Sequence, residues 1–242
     1  MVSDIHGNEV ALDAVLDDIA ASGADEIVCL GDVATLGPNP CETLARVEAL
    51  GCTCIVGNHD AFLLDRDLLT QYTHEEIVVQ AVDWACSQVS ARDLDFVRSF
   101  VPTAELELAP GVTLLMYHGS PKSYFDNILA ETPPDELDAM LGDARDAQLY
   151  AGGHTHVQMM RQHDGQLVIN AGSVGMPFRR FVGGGPPQVL THAEYAIVEA
   201  SHAGDIVVDL RRVALDLTRL RAAAACAASQ NPLCAQLEAA YR

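Results

Sequence analysis

Short runs of Val, Ile, Leu and Cys recur along the chain: EIVCLGD, TCIVGNHD, VTLLMYHG, AQLYAGGH, QLVINAGS, YAIVEA and DIVVDLRRV. Runs of this length, bounded by Gly, Asn and Asp, predict β-strands. Between the first of them the apolar positions change period. From Asn8 to Ser22, Val10, Leu12, Val15, Leu16 and Ile19 recur at helical spacing, and Cys41 to Leu50 reads as a second helix. Strand, helix, strand, helix, strand is the order of an α/β core with parallel strands. The later strands are separated by turns as short as HDGQ and HAGD, which favour antiparallel pairing. A mixed sheet or a two-sheet sandwich follows.

Residues Ala61 to Phe100 form the longest stretch without a strand signal. They predict two or three helices inserted between strands, which could form a small cap. The GGGPP segment, Gly183 to Pro187, is a loop. The tail from Leu217 to Arg242 reads as helix, broken near Asn231 and Pro232. No repeat or low-complexity linker divides the chain, so one domain over residues 1–242 is expected. Only Met1, Val2 and Ser3 precede Asp4, fewer than a normal strand needs. That shortage leaves open a true start upstream of Met1.

Composition narrows the function. The chain has 242 residues and carries 34 acidic against 14 basic residues, a formal charge of -20. Such a surface repels a phosphate backbone, so no long nucleic acid is expected as a partner. No apolar run approaches the length of a membrane span, and MVSDIHGN lacks the form of a signal peptide. Seven cysteines are scattered without Cys-x-x-Cys spacing, which suits a reducing compartment. A cytoplasmic location is expected. Cys52 and Cys54 alternate on a predicted strand and read as small buried hydrophobes, not as metal ligands.

The chemistry lies where these runs end. Asp4 and His6 occur in SDIHGN, Asp32 in LGD, Asn58, His59 and Asp60 in GNHD, His118 in YHGS, and His154 and His156 in GHTH. Each follows a predicted strand, at the edge of an α/β sheet where loops converge on a ligand. A lone histidine at a strand end is usually structural, but five of the nine share this placement. His74, His163, His192 and His202 are read as solvated. Carboxylate, imidazole and amide donors without thiolate suit a divalent metal such as Mn, Fe or Zn. Extended backbone would turn both side chains of Asp4-x-His6, and of His154-x-His156, to one side. Gly7, Gly31, Gly57, Gly119, Gly152 and Gly153 would let the backbone turn sharply beneath the metals.

In this order, DxH, GD, GNHD, H and GHxH resemble the calcineurin-like metallophosphoesterases. NAGSVGMP, Asn170 to Pro177, is similar to the small bacterial and archaeal phosphodiesterase branch. The resemblance implies a sandwich of two mixed β-sheets flanked by helices. It also implies two divalent metal ions (Mn, Fe, Zn or Ni). Asp4, His6, Asp32 and His156 would hold one, and Asp32, Asn58, His118 and His154 the other, with Asp32 bridging. His59 would contact phosphate or act as a general acid, and Asp60 would orient its imidazole. The implied reaction is in-line attack of a metal-bound hydroxide on a small phosphate ester, with a diester favoured. The alternatives are a phosphomonoesterase, a dinucleoside polyphosphate hydrolase, or a non-catalytic interaction scaffold of the same fold.

Overall fold

A computed structural model of the chain describes residues 1–142, 147–181, 183 and 187–241. Helix α1 (Glu9–Ser22) starts where the Asn8 side chain accepts from the Ala11 amide and stops at Gly23, whose φ of 75° ends the helix in the left-handed region. Strand β1 (Val28–Cys29) follows. Helix α2 (Pro40–Leu50) opens on a proline and closes at Gly51, φ 61°. After β2 (Thr53–Cys54) come four helices: α3 (Asn58–Leu64), α4 (Asp67–Tyr72), α5 (Glu76–Gln88) and α6 (Ala91–Val97). They occupy the stretch in which the sequence predicts two or three.

The second half holds β3 (Ala104–Ala109), β4 (Val112–Met116), α7 (Pro134–Leu141), β5 (Leu149–Gly152), β6 (Met159–His163), β7 (Gln166–Asn170), β8 (His192–Ala200) and β9 (Ile206–Ala214). The tail forms α8 (Leu217–Ala227) and α9 (Pro232–Ala240). The break between them is capped by the Asn231 side chain, which accepts from Leu233 N. The last tail residue, Arg242, lies outside the described residues, as does part of the GGGPP loop. Among the described residues no helix is long and apolar enough to cross a membrane.

Five strands form a mixed sheet in the order β3-β4-β5-β7-β6, with parallel β4-β5 and β5-β7 pairs and antiparallel edges. A second layer is assembled from β9-β8 (antiparallel) and β1-β2 (parallel). Met1 and Val2 join the two pairs. Met1 exchanges backbone hydrogen bonds with Ala196, and Val2 bridges Cys29 in parallel.

Alternation along the strands assigns each face. Leu114, Met116, Leu149, Ala151 and Ile169 meet Val28, Leu30 and Ile55 between the layers. Leu115, Tyr117, Tyr150 and Val168 turn outward to Leu137 and Leu141 of α7. The other layer covers its outer face with α1 and α2 through Leu12, Val15, Ile19, Leu44 and Val47. Burial of these apolar faces is the main favourable term in folding. Cys54 belongs to this last cluster and Cys52 packs against it, in keeping with their reading as hydrophobes.

Two strands escape the sequence pattern. In β3 the apolar residues alternate with glutamates, AELELA, and β6 reads MMRQH. Neither resembles the aliphatic runs that mark the others, because both lie at an edge of the sheet. His163 also departs from expectation: it is buried at the end of β6, with Nε2 2.8 Å from Asp138 Oδ1. With Asp164 these two form a small grouping at the β6–β7 turn, separate from the loops described next.

Candidate metal centre

The loops after Val2, β1, β2, β4 and β5 bring the nine candidate residues together, and all nine are buried. Two groups of possible ligand atoms form, each within 4.8 Å: Asp4, His6 and His156, and Asp32, His118 and His154. Within the first, His6 Nε2 and His156 Nε2 are 3.0 Å apart and Asp4 Oδ1 lies 3.2 Å from His156 Nε2. In the second, Asp32 Oδ2 is 3.3 Å from His118 Nε2. Asn58 Oδ1 is 2.9 Å from His154 Nδ1 and 3.2 Å from His118 Nε2. Asp32 faces both groups, since its Oδ2 is also 3.7 Å from His6 Nε2.

Local backbone makes this convergence possible. Seven described non-glycine residues have left-handed φ, and five of them are candidate ligands: Asp4 (52°), His6 (48°), Asp32 (57°), His154 (65°) and His156 (58°). Such conformations cost about 1–3 kcal/mol each and persist where the surroundings enforce them. The expected extended geometry of the two alternating pairs is therefore corrected. Left-handed turns, not strand alternation, aim these side chains, and they send His154 and His156 to different groups. The role given to the glycines also changes. Gly7 and Gly31 do have positive φ, whereas Gly57, Gly119, Gly152 and Gly153 permit close packing. A Cβ on Gly57 would come within 2.1 Å of Asp32 Oδ1, and one on Gly153 within 2.4 Å of Asp4 Oδ2.

Neighbouring groups fix the ligand side chains. His118 Nδ1 donates to Leu30 O and His156 Nδ1 to Met176 O, each at 2.7 Å, which turns both Nε2 atoms inward. Asp4 Oδ2 accepts from Ser3 Oγ and His154 N, so that Oδ1 faces the centre. The NAGSVGMP segment acts as a brace: Ser173 Oγ donates to Asp4 O, Gly175 N also donates to Asp4 O, and Asn170 Nδ2 donates to Gly153 O. Reading the sequence alone misses Ser3, Leu30, Ser173 and Met176. Two of them contribute only a backbone carbonyl, which carries no residue-type signal.

Asp60 requires a correction. The resemblance implies that it orients His59, yet its Oδ2 accepts from Asp32 N (2.7 Å) and Gly57 N (2.9 Å), and its Oδ1 from Val33 N (2.9 Å). Asp60 lies in the first turn of α3, so its carboxylate satisfies an amide left open at the helix start and ties it to the Asp32 loop. The group at His59 Nδ1 is instead Thr35 Oγ1, at 2.7 Å.

The electrostatics show which charge the cluster favours. Burial would raise Asp4, but the His156 and His118 imidazoles bring it down to about 2. Burial would likewise lower His118, but the Asp32 and Asp4 carboxylates lift it to about 10; His156 is raised in the same way by Asp4. Burial dominates elsewhere, holding His154 down at about 3 and His59 at about 4. Two carboxylates sealed from water thus draw protons onto the nearest imidazoles, which marks a site built for positive charge. Asp4 Oδ1, His6 Nδ1 and Asn58 Nδ2 are buried without a hydrogen-bond partner among the described residues. Orphaned Asp4 Oδ1 and donor spacings near 3 Å both fit ligands arranged around cations at about 2.0–2.2 Å.

A family model described as the calcineurin-like phosphoesterase superfamily domain matches residues 1–183. An uncharacterized protein of Methanocaldococcus jannaschii is 31% identical over 176 residues, covering 72% of this chain and 68% of the relative. The crystal structure of a metallophosphoesterase from Sphaerobacter thermophilus is similar over 99% of this chain and 97% of that one, with 27% identity and a TM-score of 0.74. A hypothetical protein from Pyrococcus horikoshii shares the fold at 16% identity and a TM-score of 0.80, over 98% of this chain and 95% of its own.

Proposed function

Since the chain belongs to the calcineurin-like phosphoesterase superfamily, we propose that it is a metal-dependent phosphoric ester hydrolase acting on a small phosphodiester. Asp4, His6, Asp32 and His156 would hold one divalent cation, and Asp32, Asn58, His118 and His154 a second. The observation that carries this reading is the position of Asp32, whose Oδ2 faces His6 of one group and His118 of the other. Two cations bound there would polarise the phosphoryl group and lower the pKa of water towards neutrality.

The remaining roles belong to the chain. Burial holds His59 down at about 4, which favours phosphate contact over general acid, the two roles that the resemblance implies for it. With the Thr35 hydroxyl donating to Nδ1, its Nε2–H is left to donate to a phosphoryl or leaving-group oxygen. Asp60 holds the Asp32 loop through three backbone amides. The burial of all nine residues limits water around the reacting group and strengthens each of these interactions.

The preference for a diester draws on the NAGSVGMP resemblance and on charge: a diester carries one negative charge against a surface at -20. The test strips the protein with a chelator and restores Mn, Ni, Fe, Zn, Co or Mg one at a time. Bis(p-nitrophenyl) phosphate and p-nitrophenyl phosphate are then compared by kcat/KM. Faster diester hydrolysis is expected. A tenfold monoester preference would replace the diesterase reading with a phosphomonoesterase, and no hydrolysis with any metal would leave the scaffold reading.

A further inference from the structure

Beside the candidate centre lies an aromatic cluster that the chemistry above does not use. Tyr72, the last residue of α4, is stacked on Phe125 from the loop after β4, with centroids 5.5 Å apart and planes at 22°. Phe62 of α3 completes the cluster, 5.6 Å from Tyr72 and 6.2 Å from Phe125. Phe62 is fully buried, but Tyr72 is 44% exposed, unusual for a ring touching such a buried core. The Tyr72 ring is also 6.3 Å from His59 and 6.2 Å from His154, so it stands at the margin of the centre.

Tyr72 helps to cover Phe62, yet nearly half of its own surface stays open, and its hydroxyl has no hydrogen-bond partner among the described residues. A flat apolar surface next to a charged centre gives uncharged binding energy for an anion that the protein's surface repels. On the other flank Phe178 lies flat against His156 at 4.3 Å, so its ring is engaged in holding an imidazole. Of these two flanks, the Tyr72 side is the one that presents an exposed ring.

Building on the phosphoesterase reading, we propose that the Tyr72–Phe125 shelf stacks a nucleobase carried on one arm of the phosphate ester. The shelf adjoins His59 and His154, at ring-centroid distances of 6.3 and 6.2 Å, within reach of a ring carried on an ester arm of a phosphate held at the centre. Base-on-aromatic stacking is worth about 5- to 150-fold in affinity.

The experiment uses the full chain loaded with Mn and three slowly hydrolysed probes, the phosphorothioates of adenosine (at the 5′ oxygen), of ribose (at the same oxygen) and of phenol. Dissociation constants are read by calorimetry for the wild type, Tyr72→Leu and Tyr72→Phe. The wild type is expected to favour the adenosine probe over the ribose probe. Tyr72→Leu should shrink that ratio by about 5- to 150-fold and Tyr72→Phe should retain it. An unchanged ratio in Tyr72→Leu overturns the shelf, as does absence of adenosine binding to the wild type. A preference for phenol over adenosine also overturns the nucleobase assignment. If the adenosine preference depends on Tyr72 but no ester is hydrolysed, the shelf stands and the phosphoesterase reading falls. Hydrolysis of adenosine and ribose phosphates with a ratio indifferent to Tyr72 keeps the phosphoesterase reading and removes the shelf.

Discussion

The carboxylate of Asp60 accepts a 2.7 Å hydrogen bond from the backbone N–H of Asp32, linking the first turn of α3 to the loop that carries the central carboxylate. Asp60→Ala would leave the amides of Asp32, Val33 and Gly57 without this acceptor. Each buried donor so orphaned costs about 1–3 kcal/mol. Urea unfolding should therefore show a loss of several kcal/mol, and metal affinity should fall with it. Unaltered stability and metal content in this variant would refute the bracing role.

Asp32→Asn should weaken both cations together, because an amide cannot supply negative charge to two metals. Elemental analysis of the purified variant should show metal depleted at both sites, with activity lost. Full metal content with normal turnover would remove Asp32 from the bridging position.

For His59→Ala the phenotypes should separate. Metal content is expected to stay near wild type while kcat drops by roughly 10²- to 10³-fold, the usual effect of removing one positioned hydrogen-bond donor to developing charge. Thr35→Val should give a smaller drop in the same direction, since it removes the hydroxyl that meets Nδ1. Metal loss in the His59 variant would make it a ligand instead.

Two glycines give a steric test with an internal control. Gly57 has φ -93°, so an alanine there meets no conformational penalty, but its Cβ would press on Asp32 Oδ1 at 2.1 Å. Gly57→Ala should cost about 1–3 kcal/mol and weaken metal binding. Gly51 has φ 61° and open space within 4 Å of where a methyl would sit. Gly51→Ala should cost about 1–2 kcal/mol through the left-handed backbone alone and leave the metals untouched. Equal metal affinity in the two variants would contradict the packing described around Asp32.

Chelation should lower the melting temperature reversibly. A ligand held at 100 times its Kd stabilises the folded state by about 2.7 kcal/mol, and that increment should vanish with the metal. The effect should be absent in Asp32→Asn; a melting temperature indifferent to chelator in the wild type would argue against metal at this centre.

In the sequence, aliphatic runs mark seven strands, helical spacing from Asn8 to Ser22 marks the first helix, and the acid, amide and imidazole side chains following those runs name the candidate ligands. These features are local, and local chemistry is written in residue order. The tertiary structure decided what depends on distant partners. Edge strands β3 and β6 pair through their backbones despite polar sequences. Asp60 serves amides 28 and 27 residues away instead of its neighbour His59, and Tyr72 meets Phe125 from a separate loop. The left-handed turns at Asp4, His6, Asp32, His154 and His156 were also invisible, because no periodicity or apolar pattern announces them. They exist because hydrogen bonds across the two layers hold the loops in place, and a strained backbone can be maintained only by the fold around it.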